Sequence, residues 1–347
     1  MPAHQGWKRL LARILLPVIT LGLTAFGLEI GLRVLRGSLF STENIAHRAR
    51  AVPFADYDPE LGWIPRIGPA KMPDYDFTVD EARLRSNGRP HPSGWAPILV
   101  FGDSFTFGDE VRDNETWPSE LETILQQPVL NAGVTGYGID QACMRAEKLL
   151  ANYHPAVVIV AFISHDIYRA ELSYYSQWKP YFEYGSNGLE LKNVPVPKGF
   201  AVPRALPALN RILGHSFLAQ AILKRTKLRT WYQGPHKLQV HDKGVEVATE
   251  LLTRLSGLAQ QQGSRFIAVT LATDGRFDDT KKIGPMVERL KANHVEVFDL
   301  AGQMLQMARD QFNGMFGPKG HYRPELNRWV ATQVAAYLRG TKASTAN

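Results

Sequence analysis

From residue 97 to the C-terminus, short apolar runs alternate with longer amphipathic stretches. The runs lie near 97–102, 128–131, 157–162, 265–271 and 295–298 and predict buried strands. The stretches near 115–126, 138–152, 244–262, 281–293, 301–311 and 324–338 predict helices. Such alternation predicts a parallel sheet with helices on both faces. The ligand edge of that sheet is the carboxyl ends of its strands.

Two regions break the alternation. Residues 37–96 hold many Pro, Gly and charged positions, and predict a stalk and an extension lying against the core. Residues 167–243 hold Tyr174, Tyr175, Trp178, Tyr181, Phe182 and Tyr184, the turn Pro195-Val196-Pro197, and a basic stretch through Lys224, Arg225, Lys227 and Arg229. They predict a cap: either a packed lid with a solvated basic face, or a face turned to anionic glycan or lipid headgroups.

The N-terminus has a different pattern. Lys8, Arg9 and Arg13 precede 14–28, which carries no charge, and apolar character continues past Glu29. Residues 10–35 can span the ~30 Å of bilayer hydrocarbon as a helix. Glu29 and Arg33 are four apart, so they can pair there. The basic residues ahead of the span favour a cytoplasmic N-terminus in a single-pass inner-membrane protein, with the rest extracytoplasmic or periplasmic. A cleaved signal peptide is the competing reading, with Ala25-Phe26-Gly27 as its site. The apolar helix runs past that site, so an uncleaved transmembrane helix is expected. The domains are then 1–36 (anchor), 37–96 (stalk and extension) and 97–340 (core, with the cap at 167–243).

Composition narrows the function classes. Of 347 residues, 44% are hydrophobic, enough for a sizeable core. Cys143 is the single cysteine, which excludes an intrachain disulfide. The formal charge is +7, but residues 1–36 hold five Lys/Arg against one Glu, which leaves about +3 for the remainder. That is too mild to argue for nucleic acid. No His, Cys or carboxylate cluster has ligand spacing, so no metal or cofactor is expected.

The candidate chemistry sits at strand ends. Ile98-Leu99-Val100-Phe101 stops abruptly at Gly102-Asp103-Ser104, followed by Phe105-Thr106-Phe107-Gly108. A serine where a buried strand turns into a helix lies at the ligand edge, beside free helix N–H groups. A plain helix-capping serine would look the same. Three further blocks distinguish the two: Asn131-Ala132-Gly133-Val134-Thr135-Gly136-Tyr137-Gly138; Ile163-Ser164-His165-Asp166; and Gly320-His321-Tyr322-Arg323-Pro324-Glu325.

In this order the four blocks resemble the SGNH (GDSL-type) hydrolases, a family of esterases, lipases and polysaccharide deacetylases. Tyr57-Asp58-Pro59-Glu60-Leu61-Gly62-Trp63, Lys179-Pro180-Tyr181-Phe182 and Pro195-Val196-Pro197 resemble its membrane-anchored bacterial branch. The resemblance implies a flavodoxin-like three-layer α/β/α fold with a central five-stranded parallel sheet. It implies Ser104 as nucleophile and His321 as its base. The N–H groups of Ser104 and Gly136, with a side chain of the third block, become oxyanion donors. Asp103 and Asn131 are expected to brace the turns.

Two departures stand out. His165 occupies the position of the family's oxyanion Asn, and an imidazole N–H can donate in its place. The family's Asp, two or three residues before the His, is here Pro318 or Lys319. Three readings follow: a Ser–His dyad, an orienting carboxylate from elsewhere such as Asp299, or lost catalysis. The expected partner is an acylated glycan or small ester, and the expected activity an O-acyl esterase. The alternatives are an O-acetyltransferase and a catalytically degenerate scaffold of envelope glycan assembly.

Overall fold

Ile98–Phe101 contains no polar residue, and all four side chains are buried. Successive side chains of a strand point to opposite faces, so both faces of the sheet are covered. The strand is β1 of a five-stranded sheet in the computed structural model. The others are β2 (Val129–Asn131), β3 (Val157–Phe162), β4 (Arg265–Thr270) and β5 (Val297–Phe298). The structure describes residues 3–48, 52, 54–94, 96–275, 279–307 and 309–340. Met1, expected in the cytoplasm, lies outside them, as do residues 49–51, 53 and 95 of the expected extension.

The spatial order is β2-β1-β3-β4-β5, and every pair is parallel. Ile98 stands opposite both Val129 and Val157, and Val157 opposite Arg265. This is the flavodoxin-like order, and its direction reverses between β1 and β3. The crevice at that reversal lies past the carboxyl ends of the two strands, where Gly102 and Ile163 follow.

The helices are amphipathic and pack in pairs. Trp117–Leu125 lies against Pro324–Leu338, and Ile139–Tyr153 against Gly244–Gln261. Thr116 caps the first of these, its side chain accepting the Ser119 N–H. The stretch expected as one helix at 301–311 forms two, Leu300–Met304 and Arg309–Gly314.

The described residues fall into two compact units. One combines residues up to 48 with 200–236; the other combines 52–199 with 237–340. The larger unit holds the sheet. It also holds two hairpins ahead of the sheet, Ala55–Asp58 with Gly62–Pro65 and Gly68–Lys71 with Asp76–Val79. Between β3 and β4 it adds a three-stranded antiparallel sheet, Leu172–Tyr175, Gln177–Trp178 and Lys237–Gln239. Lys179, fully buried next to these strands, pairs with the fully buried Asp140.

The smaller unit contains the helix Ala3–Leu35 and short helices from 200–236. Its segment Arg13–Leu35 has 23 residues and includes an 18-residue stretch of mean hydropathy 1.9, none of which is buried. That is long and apolar enough to cross a bilayer, and a signal sequence has the same profile. Glu29 and Arg33 pair at 2.7 Å on this helix.

Candidate active site

The chain turns sharply after β1. A Cβ on Gly102 would stand 2.4 Å from the Ala161 carbonyl oxygen and 2.4 Å from Thr106 Oγ1, so only glycine fits. Asp103 then caps a single helical turn, Ser104–Phe107, by accepting the Phe105 N–H at 2.9 Å. Its other oxygen accepts from the Arg169 guanidinium at 3.0 Å. Arg169 also binds Asp166 and the Tyr137 carbonyl, so this buried cluster anchors the turn from below. Asn131 at the end of β2 donates to the Thr106 carbonyl at 2.9 Å and accepts the Gly133 N–H. Ser104 is thereby held, almost wholly buried, at the carboxyl edge of β1.

The turn closes at Gly108, which is left-handed at φ +90, and the next two residues are acids. Glu110 is also left-handed, at φ +71, an uncommon conformation for a residue with a side chain. Its carboxylate accepts the backbone N–H of Lys319 at 2.8 Å and of His321 at 3.0 Å. The same Oε2 lies 3.1 Å from His321 Nδ1. Across the ring, His321 Nε2 lies 2.9 Å from Ser104 Oγ. Gly317 leaves the space this needs: a Cβ there would come within 2.9 Å of the Glu110 carboxylate. Tyr322, buried next to His321, ties the segment down by donating to the Ala272 carbonyl at 2.6 Å.

Electrostatics follow from these contacts. Burial raises the Glu110 pKa, but hydrogen bonds from the His321 ring and from the His321 and Lys319 N–H groups outweigh it. The net pKa is about 2. Glu110 is therefore ionised at neutral pH, and Nδ1 of His321 must carry the proton it donates. Nε2 is left as acceptor for the Ser104 hydroxyl. Burial disfavours the imidazolium of His321, yet Glu110, Asp109 and Asp103 together lift its pKa above the usual value. Asp109 is a second acid here, with Oδ2 3.9 Å from Nε2 and Oδ1 accepting from Thr135 Oγ1 at 2.9 Å. Burial pushes its pKa up.

A cavity of about 120 Å³ opens at this point. Phe54, Met72, Tyr75, Phe77, Phe107 and Val134 form its apolar side, and Asp109, Thr135, Lys319 and His321 its polar side. The hairpins ahead of the sheet thus supply much of the wall.

Among the residues expected from sequence, the structure brings Ser104 and His321 together. Gly136 takes φ +83 just after Val134 and Thr135, which line the cavity. His165 stands in the first turn of Ser164–Arg169, its ring 5.4 Å from Tyr168 and 5.7 Å from Tyr175.

Asp299 is a correction. Its carboxylate accepts from Thr270 Oγ1 at 2.6 Å and caps Leu300–Met304 through the Gly302 N–H. It follows β5, three strand spacings from β1, or about 14 Å. The carboxylate at His321 comes instead from Glu110, 211 positions earlier in the chain. The backbone N–H of Lys319 braces Glu110, and the His321 pKa goes up.

No family model matches the chain, and no curated protein matches it. Solved structures do. A lipase/acylhydrolase from Enterococcus faecalis is 14% identical, over 72% of this chain and 99% of that one, with a TM-score of 0.41. A GDSL-like lipase from Bacteroides thetaiotaomicron is 12% identical, over 73% and 92%, with a TM-score of 0.40. A member of the lipolytic G-D-S-L family from Veillonella parvula is 15% identical, over 70% and 96%, with a TM-score of 0.39.

Proposed function

We propose that this chain is an SGNH-type serine esterase with a Ser104–His321–Glu110 triad. The observation that carries the reading is the unbroken line from Ser104 Oγ through both ring nitrogens of His321 to an ionised Glu110. A serine hydroxyl needs a neighbouring imidazole to take its proton, and the imidazolium so formed needs a carboxylate behind it. Nε2 takes the Ser104 proton as Oγ attacks the acyl carbonyl. The oxyanion is received by the N–H groups of Ser104 and Gly136, with His165 as a third donor. The imidazolium then gives its proton to the departing alcohol. Water, deprotonated by the same nitrogen, releases the acid and restores Ser104.

The substrate class we favour is a short O-acyl ester, such as the O-acetyl groups of an envelope polysaccharide. A cavity near 120 Å³ is somewhat smaller than the ~150 Å³ that holds benzene, which suits a few carbons better than a fatty chain. The apolar helix Arg13–Leu35 supports a single-pass anchor in the inner membrane, with the site outside the cytoplasm. The carboxylate of Glu110 beside His321 supports the esterase reading over a degenerate scaffold.

The test is direct. A fluorophosphonate probe should label the full chain once, and Ser104→Ala should abolish both labelling and p-nitrophenyl acetate turnover. Labelling that survives in Ser104→Ala, or a wild type inert to probe and ester alike, would sink the assignment.

A further inference from the structure

Residues 200–236 contain six Lys/Arg and no Asp or Glu. The cations Arg204, Arg211, Lys224, Arg225, Lys227 and Arg229 are all exposed. So are five large apolar side chains, Leu206, Leu209, Ile212, Ile222 and Leu228, with Ile212 at 70% exposure. A scattered exposed leucine means nothing. Five within one short segment, interspersed with cations and with no acid, have the composition of an element that lies in a membrane interface.

The attachment of this segment points the same way. Glu29, on the apolar helix, accepts Ser216 Oγ at 2.9 Å, the Phe217 N–H at 3.2 Å and the Leu218 N–H at 2.9 Å. It thus fills the open end of the helix Phe217–Leu223. Arg33 donates to the His215 carbonyl at 2.6 Å, and the Arg36 guanidinium stands 5.1 Å from the Phe217 ring centre. A carboxylate within an apolar span is expensive unless it is paired. Here its pairing fastens the segment to the end of the span. Glu29 is six residues before Leu35, which is about 9 Å of helix. Interfacial helices bury their apolar faces to about 5–10 Å, which is the depth of this attachment when the bilayer surface lies at Leu35.

We infer that residues 204–229 form a second membrane contact, laid on an anionic lipid surface where the apolar helix emerges. Leu206, Leu209, Ile212, Ile222 and Leu228 enter the boundary between headgroups and acyl chains. The six cations meet the lipid phosphates. This inference rests on the reading of Arg13–Leu35 as an anchor, and the experiment separates the two.

The full chain is placed in nanodiscs of phosphatidylcholine, with and without phosphatidylglycerol. Cys143 is buried, and burial holds its thiol pKa well up, so an introduced surface cysteine takes a thiol dye selectively. Ile212→Cys and Leu21→Cys are labelled singly with an environment-sensitive dye and titrated with acrylamide, a neutral quencher. Both dyes should be blue-shifted and several-fold less quenched than free dye, and the Ile212→Cys dye should be best protected with phosphatidylglycerol present. Reversing Lys224, Arg225, Lys227 and Arg229 to Glu together should expose the dye at position 212 and leave the one at 21 protected.

A protected Leu21→Cys dye with a fully quenched Ile212→Cys dye would overturn this inference and leave the anchor standing. Quenching at both positions would overturn both. Equal protection in the two lipid mixtures, unmoved by the charge reversals, would overturn the electrostatic contact. Protection of position 212 by an added anionic polysaccharide, and not by lipid, would give the face to a glycan and overturn the proposal.

Discussion

Glu110 grips the His321 residue at two points, accepting its backbone N–H at 3.0 Å and facing its ring Nδ1 at 3.1 Å. One carboxylate therefore sets both the position of the histidine's backbone and the orientation of its ring. It does so from a left-handed conformation at φ +71, a strain that its three hydrogen bonds hold in place.

Glu110→Gln should keep the fold and lose the chemistry. Lys319 donates to Oε1 and His321 to Oε2, so the single amide oxygen of glutamine keeps the contact at one of these positions only, and it carries no charge to balance an imidazolium. By analogy with the loss of a triad carboxylate, kcat should fall by about 10³–10⁴. Esterase kinetics, with circular dichroism as the fold control, check this. Unchanged kcat would remove Glu110 from the mechanism.

The pH profile should report the same contact. The Ser104 proton can be taken only by neutral His321, so activity rises as pH passes the histidine's pKa. That pKa is lifted by Glu110, Asp109 and Asp103 against the opposing effect of burial. The activity limb should therefore lie above the ordinary value of about 6.5. Asp109→Asn removes one of the lifting charges, 3.9 Å from Nε2, and should move the limb down. A limb that stays in place would mean that Asp109 does not act on His321.

The strand pattern was readable because β1 to β4 are covered over all but the first residue of β3 and of β4, and so nearly unbroken in apolar residues. Ser104 was readable because Gly102-Asp103-Ser104 directly follows such a strand. Glu110 was not, because what orients an imidazole is fixed by proximity in space, and residues 318 and 319 offered only Pro and Lys. A signal did exist. Gly108 followed at once by Asp109 and Glu110 places two acids beside the turn that carries Ser104. Asp299 misled because it also follows a strand, although β5 is the far edge of the sheet and its carboxylate closes a helix end.

Asp299→Ala should separate these roles. Losing a side-chain helix cap costs about 1 kcal/mol, and the Thr270 hydroxyl loses its acceptor as well. Thermal unfolding should show the loss while kcat stays at the wild-type value. A fall in kcat in the still-folded variant would restore Asp299 to the mechanism.

Acid should loosen the site in a defined window. The Glu110 pKa is lowered from 4.5 to about 2 in the folded chain. A depressed carboxylate stabilises the fold above its unfolded pKa, and this contribution fades as pH falls from about 4.5 toward 2. His321 has the opposite sign. Its raised pKa contributes stability that is complete below 6.5 and is lost as pH climbs through the folded value. Melting temperatures of wild type and Glu110→Gln should therefore converge as pH falls from 4.5 toward 2. Parallel curves across that range would contradict the depressed pKa.

Gly317→Ala tests how tightly the geometry is drawn. The added methyl would lie within 2.9–3.1 Å of the Glu110 carboxylate, closer than side chains tolerate. The atoms it meets are the far end of a flexible side chain, so the carboxylate can swing aside. The clash itself then costs little, and the stability lost is that of the charge-assisted hydrogen bonds the carboxylate gives up, about 1.5–3 kcal/mol for each one not remade elsewhere. The swing, however, takes charge away from Nδ1 and releases the Lys319 and His321 N–H groups that hold the histidine in line. A displacement of about 1 Å at such a site can cost on the order of 10²-fold in rate. The expected variant is folded, slow, and has its activity limb shifted toward lower pH, since His321 has lost part of what raised it. A folded Gly317→Ala enzyme with the wild-type rate and profile would show that the Glu110–His321 contact does not govern catalysis.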